Sequence, residues 1–328
     1  MPSGLCNAGA TFQRLMDVVM SGLNMNVCLV YSDDIICYST TIEEHLERLA
    51  TILQRLRSSG LKLKPEKCSL FQKSVSFLGH TISDFGIGTD PKKIEAVADW
   101  PVPTTVKDVR SFIGMASYYR RFVKDFAKEA APLNEIARKS QRFHWSIEAQ
   151  NAFEILKEAM TSAPILGMPT DNDYFTLDTD ASNFAIGAVL FQNQNGEERV
   201  IAYASRSLDR REQNYCVTRR ELLAVVHFLK YFKQYLLGRK FRVRTDHAAL
   251  TWLRKTPDPI GQRARWLEQM EEFDFVVEHR PGSSHGNADG LSRRPCVKKE
   301  RFCKDGESRL TVDTPDGQGK CVVSEDIY

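Results

Sequence analysis

The chain has 328 residues, 42% apolar and 27% charged, with a formal net charge of +3. That length supports two or three ordinary cores rather than one, and the charge allows nucleic-acid contact only through local clusters of Lys and Arg. The eight cysteines contain no C-x-x-C pair, which argues against a zinc knuckle or a disulfide framework and for a reducing compartment.

From Val27 to Tyr38 the run VCLVYSDDIICY places two β-prone stretches around Ser32, Asp33 and Asp34, which predicts a hairpin with acids at its turn. Glu43 to Ser59 has helical spacing, with Leu46, Leu49, Ile52, Leu53 and Leu56 on one side and Gly60 as a stop. SVSFLGHTIS, Ser74 to Ser83, reads as one more extended piece, so this first region is mixed α+β. Between Asp90 and Ala163 the pattern turns helical: a Pro91 start, a WPVP break, helices through Tyr118 and Phe126, and another from Ser146 to Met160.

A Pro, Gly and Asp-rich linker, Pro164 to Asp173, leads to strands at Tyr174–Leu177, Ala185–Gln192 and Arg199–Ala204. Leu222, Val225, Val226, Leu229, Phe232 and Leu236 then form one apolar stripe of a long helix ended by Gly238. A strand at Phe241–Asp246, helices through Trp252 and Trp266, a strand at Phe273–His279 and a short helix near Ala288 complete an α/β unit. The residues from Val297 onward are polar and aperiodic and are expected to form a loose tail. There is no internal repeat. No apolar stretch approaches the roughly 20 residues that span a bilayer, and the opening residues lack a basic region followed by an apolar one, so a soluble, unsecreted protein is expected.

Asp180, Glu221, Asp246 and Asp289 stand at predicted element ends. The crevice beyond the strand ends of an open α/β sheet is a usual ligand position, and four carboxylates meeting there need cations between them. Hard oxygen donors select magnesium or manganese, and two such ions about 4 Å apart suit hydrolysis of a phosphodiester. Singly, each acid has a plainer reading, Asp180 and Asp246 as helix caps and Glu221 as a capping-box partner of Thr218.

LDTDASNFAIGAVLFQ, TRRELLAVVHF, FRVRTDHAALTWL and HRPGSSHGNADGLSRRP resemble the successive ribonuclease H motifs of gypsy-type LTR-retrotransposon Pol polyproteins, and the acid spacings of 41, 25 and 43 residues agree. The resemblance implies that Asp180, Glu221, Asp246 and Asp289 ligate two Mg2+ or Mn2+ ions in a five-stranded mixed sheet flanked by helices. His279, ten residues before Asp289, is a candidate proton shuttle or phosphate contact. His247 and His285 are taken as structural or solvent-facing.

The resemblance extends upstream. MPSGLCNAGATFQRLMD is similar to the helix of a reverse-transcriptase palm that contacts template and nucleotide, including Gln13; YSDD, with Tyr31, Asp33 and Asp34, to its catalytic hairpin; GLKLKPEKC, with Lys62, to the following lysine segment; and FLGHTIS, with Gly79 and His80, to its primer-gripping hairpin. Asp33 is implied as a further metal ligand. The family usually has Phe where Ser3 stands and Pro where Gly9 stands. Its further palm aspartate and its fingers lie upstream of the first helix, so no DNA synthesis by this chain alone is expected, and the palm part is expected to be thinly packed.

The helical region resembles a thumb, in which Tyr118, Arg120, Arg121 and Lys124 would follow a duplex backbone. Arg206, Arg242, Arg244, Arg263 and Arg265 are further candidates for hybrid contact. The whole is read as an α+β and α/β multidomain chain: a partial palm at 1–88, a thumb-like helical domain at 89–168, an RNase H domain at 169–295 and a tail at 296–328. The implied partners are an RNA·DNA hybrid, a template–primer duplex, and other Pol products or a second copy, in the cytoplasm within particles or in the nucleus. Recognition would follow duplex shape and 2′-hydroxyls rather than base sequence. The other reading is a remnant or host-adopted protein that binds nucleic acid without cutting it.

Overall fold

The computed structural model describes residues 4–124, 126–138, 143–171, 173–245 and 261–279, the side chain of Arg263 excepted. Helix α1 (Ala8–Val19) packs Met16, Val19 and the following Met20 on Cys28 of strand β1 (Cys28–Tyr31) and on Ile52 and Leu56 of α2 (Ile42–Ser58). The apolar runs of β1 and β2 (Asp34–Cys37) pair antiparallel, with Tyr31 opposite Asp34. Thr41 caps α2 by accepting the Glu44 amide, and Arg55 and Arg57 in the last turn favour the carbonyl end of its dipole.

The segment that β-prone spacing reads as one extended piece is a hairpin, as the resemblance of FLGHTIS implies. Strands β3 (Ser74–Phe77) and β4 (His80–Ser83) are joined by Leu78 and Gly79, whose φ values of 48° and 69° are both positive, as the tightest right-twisting turns require. A third strand, β5 (Gly86–Thr89), which apolar periodicity did not announce because two of its four residues are glycine, pairs with β4. At Gly86, with φ +134°, a Cβ would lie 2.1 Å from the Leu166 carbonyl, so only glycine allows Ile87 and Leu166 to exchange backbone hydrogen bonds of 2.8 and 2.9 Å.

The helical region comprises α3 (Pro91–Ala98), α4 (Val106–Tyr118), a 3-10 turn at Arg120–Phe122, α5 (Phe126–Glu129), α6 (Ala131–Ile136) and α7 (Ile147–Thr161) around Phe112, Phe122, Phe153, Leu156 and Met160. A reciprocal capping box of Thr105 and Asp108 starts α4, and Ser146 caps α7.

Strands β6 (Phe175–Ala181), β7 (Ala185–Gln194), β8 (Glu197–Ser207), β9 (Lys240–Thr245) and β10 (Asp274–His279) form one sheet in the order β10-β9-β6-β7-β8. The first three run antiparallel, while β9 is parallel to β6 and β10 to β9, giving the expected five-stranded mixed sheet. Helix α8 (Val217–Tyr231) lays Leu222, Val225, Phe228 and Leu229 on this sheet, each burial stabilising by about 1.5–3 kcal/mol. The long apolar stripe is not one helix: it stops at Tyr231, turns at Phe232 and resumes as α9 (Lys233–Leu236), with α10 (Gln262–Glu271) packed beside α8. Among the described residues no helix is long and apolar enough to cross a membrane. The fold is α+β and multidomain.

Candidate functional site

Asp180 is the penultimate residue of β6, not a residue after it, and is 3% exposed. Glu221 lies on α8 and is 2% exposed; its carboxylate accepts the Ala181 amide at 3.1 Å, which brings the acid of α8 to the strand end beside Asp180. The helix N-cap is Cys216, with no side-chain bond, so Thr218 and Glu221 do not make the capping box that spacing alone allowed. Two carboxylates so nearly out of water repel each other, and their hard oxygens are donors that fit magnesium or manganese. Strand β9 is next to β6 and ends at Thr245, one residue before Asp246; Asp246 and Asp289 lie outside the described residues. Among the described residues no three His, Cys, Asp or Glu side chains form a metal-holding group.

The loop after β6 is clamped from the helix side. Arg220, 8% exposed, donates to the Asn183 side chain, and the Ser182 hydroxyl accepts the amides of Phe184 and Ala185 at 3.2 and 3.0 Å. Asp178, two residues before Asp180 and so on the same strand face, is fully buried opposite Arg244 in the β6–β9 register. The Arg244 guanidinium bonds Glu198 and lies 3.9 Å from Asp178 and 3.8 Å from Glu278. The hydrogen bond to Glu198, then the charges of the three acids, hold its pKa above the usual value against the cost of burial. Arg244, expected at the hybrid, is thus held by three carboxylates on three strands, of which sequence spacing gave no sign. Arg242 is near Glu278 at 3.9 Å, and Arg265 is on α10. His279 ends β10, opposite Thr245, and is exposed.

Arg206 makes a two-pronged pair with Glu212 at 3.0 and 2.9 Å. Beside this pair on α8, His227 has its pKa pushed down to about 4, first by burial and next by the Arg206 charge.

In the first region Asp33 and Asp34 are exposed at the hairpin tip, with Ser32 at φ 51°. Gln13, expected at template or nucleotide, holds this tip: its side-chain oxygen accepts the Ser32 amide at 2.6 Å and its amide donates to Asp17 at 2.9 Å. Tyr31 is 59% exposed, and Lys62, after α2, is exposed.

The β3–β4 turn is bound by α4. The Tyr119 hydroxyl donates to the Gly79 carbonyl at 2.8 Å and the Tyr118 hydroxyl to that of Leu78. The His80 ring stacks on Tyr118 with centroids 5.2 Å apart; burial, then Arg121, lowers its pKa. Arg120 and Arg121, expected to follow a duplex backbone, donate to the Ser205 and Ile201 carbonyls of β8 at 2.7 and 3.3 Å, and the Ala127 amide donates to the Ser205 hydroxyl at 2.9 Å. These bonds join the helical region to the five-stranded sheet. Lys124 is half-buried between them in sequence, after the 3-10 turn.

A family model described as an RNase H-like domain found in reverse transcriptase matches residues 170–273, and one described as reverse transcriptase (RNA-dependent DNA polymerase) matches residues 1–82. The chain is 40% identical over 294 residues to the retrovirus-related Pol polyprotein from transposon 297 of Drosophila melanogaster, covering 89% of this chain and 27% of that protein. It is 36% identical over 307 residues to the retrovirus-related Pol polyprotein from transposon gypsy of the same organism, covering 90% and 29%. The chain thus spans less than a third of the length of these relatives. The foamy viral protease-reverse transcriptase in complex with RNA/DNA hybrid has the same fold, with a TM-score of 0.75 at 22% identity over 93% of this chain and 41% of that one. Its dRH form in complex with ds DNA gives 0.74 at 23% identity over 85% and 50%. Reverse-transcriptase and RNase H-like models matching in order, and relatives of this kind along nearly nine-tenths of its length, support a fragment of a gypsy-type LTR-retrotransposon Pol polyprotein.

Proposed function

We propose that the chain cleaves the RNA strand of an RNA·DNA hybrid at a two-metal site made by Asp180, Glu221, Asp246 and Asp289. The observation that carries this reading is the hydrogen bond from the Ala181 amide to Glu221, which seats two almost fully buried carboxylates at one strand end. Asp246 enters because β9 runs parallel beside β6 up to Thr245; Asp289 enters on the family resemblance. Two magnesium or manganese ions supply charge stabilisation and water activation for in-line hydrolysis.

The chain's own residues do the rest. β6 and α8 fix the acids, the Arg220–Asn183 clamp holds the loop beside them, and exposed His279 hands a proton to the departing oxygen. A hybrid or a template–primer duplex is the proposed ligand, in keeping with the duplexes bound by the foamy viral relatives. Residues 1–88, 89–168 and 169–295 are proposed as palm, thumb-like and RNase H domains. Asp33 and Asp34 are adjacent on one turn, and a polymerase site needs separated carboxylates around two ions, so these residues alone are proposed not to extend a primer.

The test is incubation of the purified chain and of Asp180→Asn with a hybrid labelled on RNA, with magnesium. Cleavage by the parent alone, with equal hybrid binding by both, supports the reading. Equal inertness with binding intact would mean a protein that grips nucleic acid without cutting it.

A further inference from the structure

Cys28 and Cys37 face each other in the antiparallel ladder of β1 and β2. Both enter one apolar cluster with Met16, Met20, Ile52 and Leu56, Cys28 fully buried and Cys37 partly, so the two thiols leave the same face of the hairpin. The backbone identifies the kind of pair. The Cys28 amide donates to the Leu23 carbonyl at 3.3 Å, and its carbonyl accepts the Met25 amide at 2.8 Å. Both groups therefore point away from β2, as in a non-hydrogen-bonded pair, whose Cα atoms lie about 4.5 Å apart. Counting from the turn agrees: Tyr31 and Asp34 close a two-residue loop as a bonded pair, and alternation makes Cys28 with Cys37 a non-bonded one. Disulfides span Cα separations of about 4.4–6.8 Å.

We infer that Cys28 and Cys37 are a redox site, a cross-strand dithiol that closes to a disulfide and locks the hairpin carrying Asp33 and Asp34. The inference is independent of hybrid cleavage. Burial, then the neighbouring Cys37, raises the pKa of Cys28; burial also raises that of Cys37, but there the Arg48 charge opposes it. Cys37, the more accessible thiol, reacts first. Its thiolate attacks a disulfide oxidant such as oxidised glutathione, forming a mixed disulfide and releasing one glutathione thiolate. The Cys28 thiolate then attacks the Cys37 sulfur, forming the protein disulfide and expelling the second glutathione. Two protein thiols lose two electrons and two protons, which leave as two molecules of reduced glutathione.

Cys28 and Cys37 are the only cysteines on the tryptic peptide Leu15 to Arg48, which makes the test direct. The full chain is treated with oxidised glutathione, alkylated, and digested without reduction. The expected peptide is two hydrogens lighter than the free dithiol, carries no alkyl group, and is restored by dithiothreitol; amide exchange at Ser32, Asp33 and Asp34 slows in the oxidised protein. Two alkylated cysteines, or Cys37 held as a glutathione adduct beside an alkylated Cys28, would overturn the redox site. Unchanged exchange after disulfide formation would overturn the lock.

Discussion

Among the described residues, the hairpin of β1 and β2 offers Asp33 and Asp34 to solvent above a core of six buried side chains, whereas β6 and α8 bury Asp180 and Glu221 beside a cluster of 23. Leu15, Val18, Leu46 and Leu53 of the first region remain largely exposed. Exposed carboxylates keep their water and need little support, and one bond from Gln13 fixes their turn. Buried carboxylates lose that water, so their convergence must be held by a large packed body.

Four tests probe this contrast, in falling order of effect. Asp180→Asn should lower hybrid cleavage on the order of 10³-fold, because a ligand to the ions supplies several kcal/mol of charge stabilisation, while Asp33→Asn leaves cleavage unchanged; gel assays of labelled hybrid report both. Phe228→Ala should cost about 3–5 kcal/mol in urea unfolding, and Met16→Ala only about 2 kcal/mol, since the smaller cluster has little to lose. Equal costs would erase the distinction between the regions.

Arg244→Gln leaves buried Asp178 near Glu198 and Glu278 without its cation, at a cost of about 3 kcal/mol. Adding Asp178→Asn should recover part of it in a double-mutant cycle; simple additivity would show that the pair is not coupled. The smallest effect is on pH. The unfolded chain protonates His227 below about 6.5, the folded chain only near 4. The unfolded state therefore binds more protons in that window, and stability, complete above it, falls as pH drops through it. His227→Gln should flatten this limb in thermal melts at pH 7 to 4.

Much of this was legible in the chain itself. VCLVYSDDIICY, two apolar runs around Ser32, Asp33 and Asp34, folds as the hairpin it predicts, and Leu222, Val225 and Leu229 do face the sheet. Local patterns stop where partners come from distant strands. The stripe through Phe232 and Leu236 has helical period, yet the backbone turns at Phe232, which is buried as Leu236 is. Arg120, Arg121 and Arg244 look like phosphate ligands in sequence because the partners they take are remote; the β8 carbonyls that Arg120 and Arg121 reach lie 85 and 80 residues away, and the acids around Arg244 come from β6, β8 and β10. Tyr118 and Tyr119 likewise reach the Leu78–Gly79 turn across 40 residues. Asp246 and Asp289, half of the proposed quartet, lie outside the described residues.

Convergence of the four acids can be read directly by replacing magnesium with ferrous iron and mapping oxidative cuts in the polypeptide. The account predicts cuts clustered beside residues 180, 221, 246 and 289, all lost in Asp180→Asn. Cuts at 180 and 221 without any at 246 or 289, or a pattern indifferent to Asp180→Asn, would contradict it.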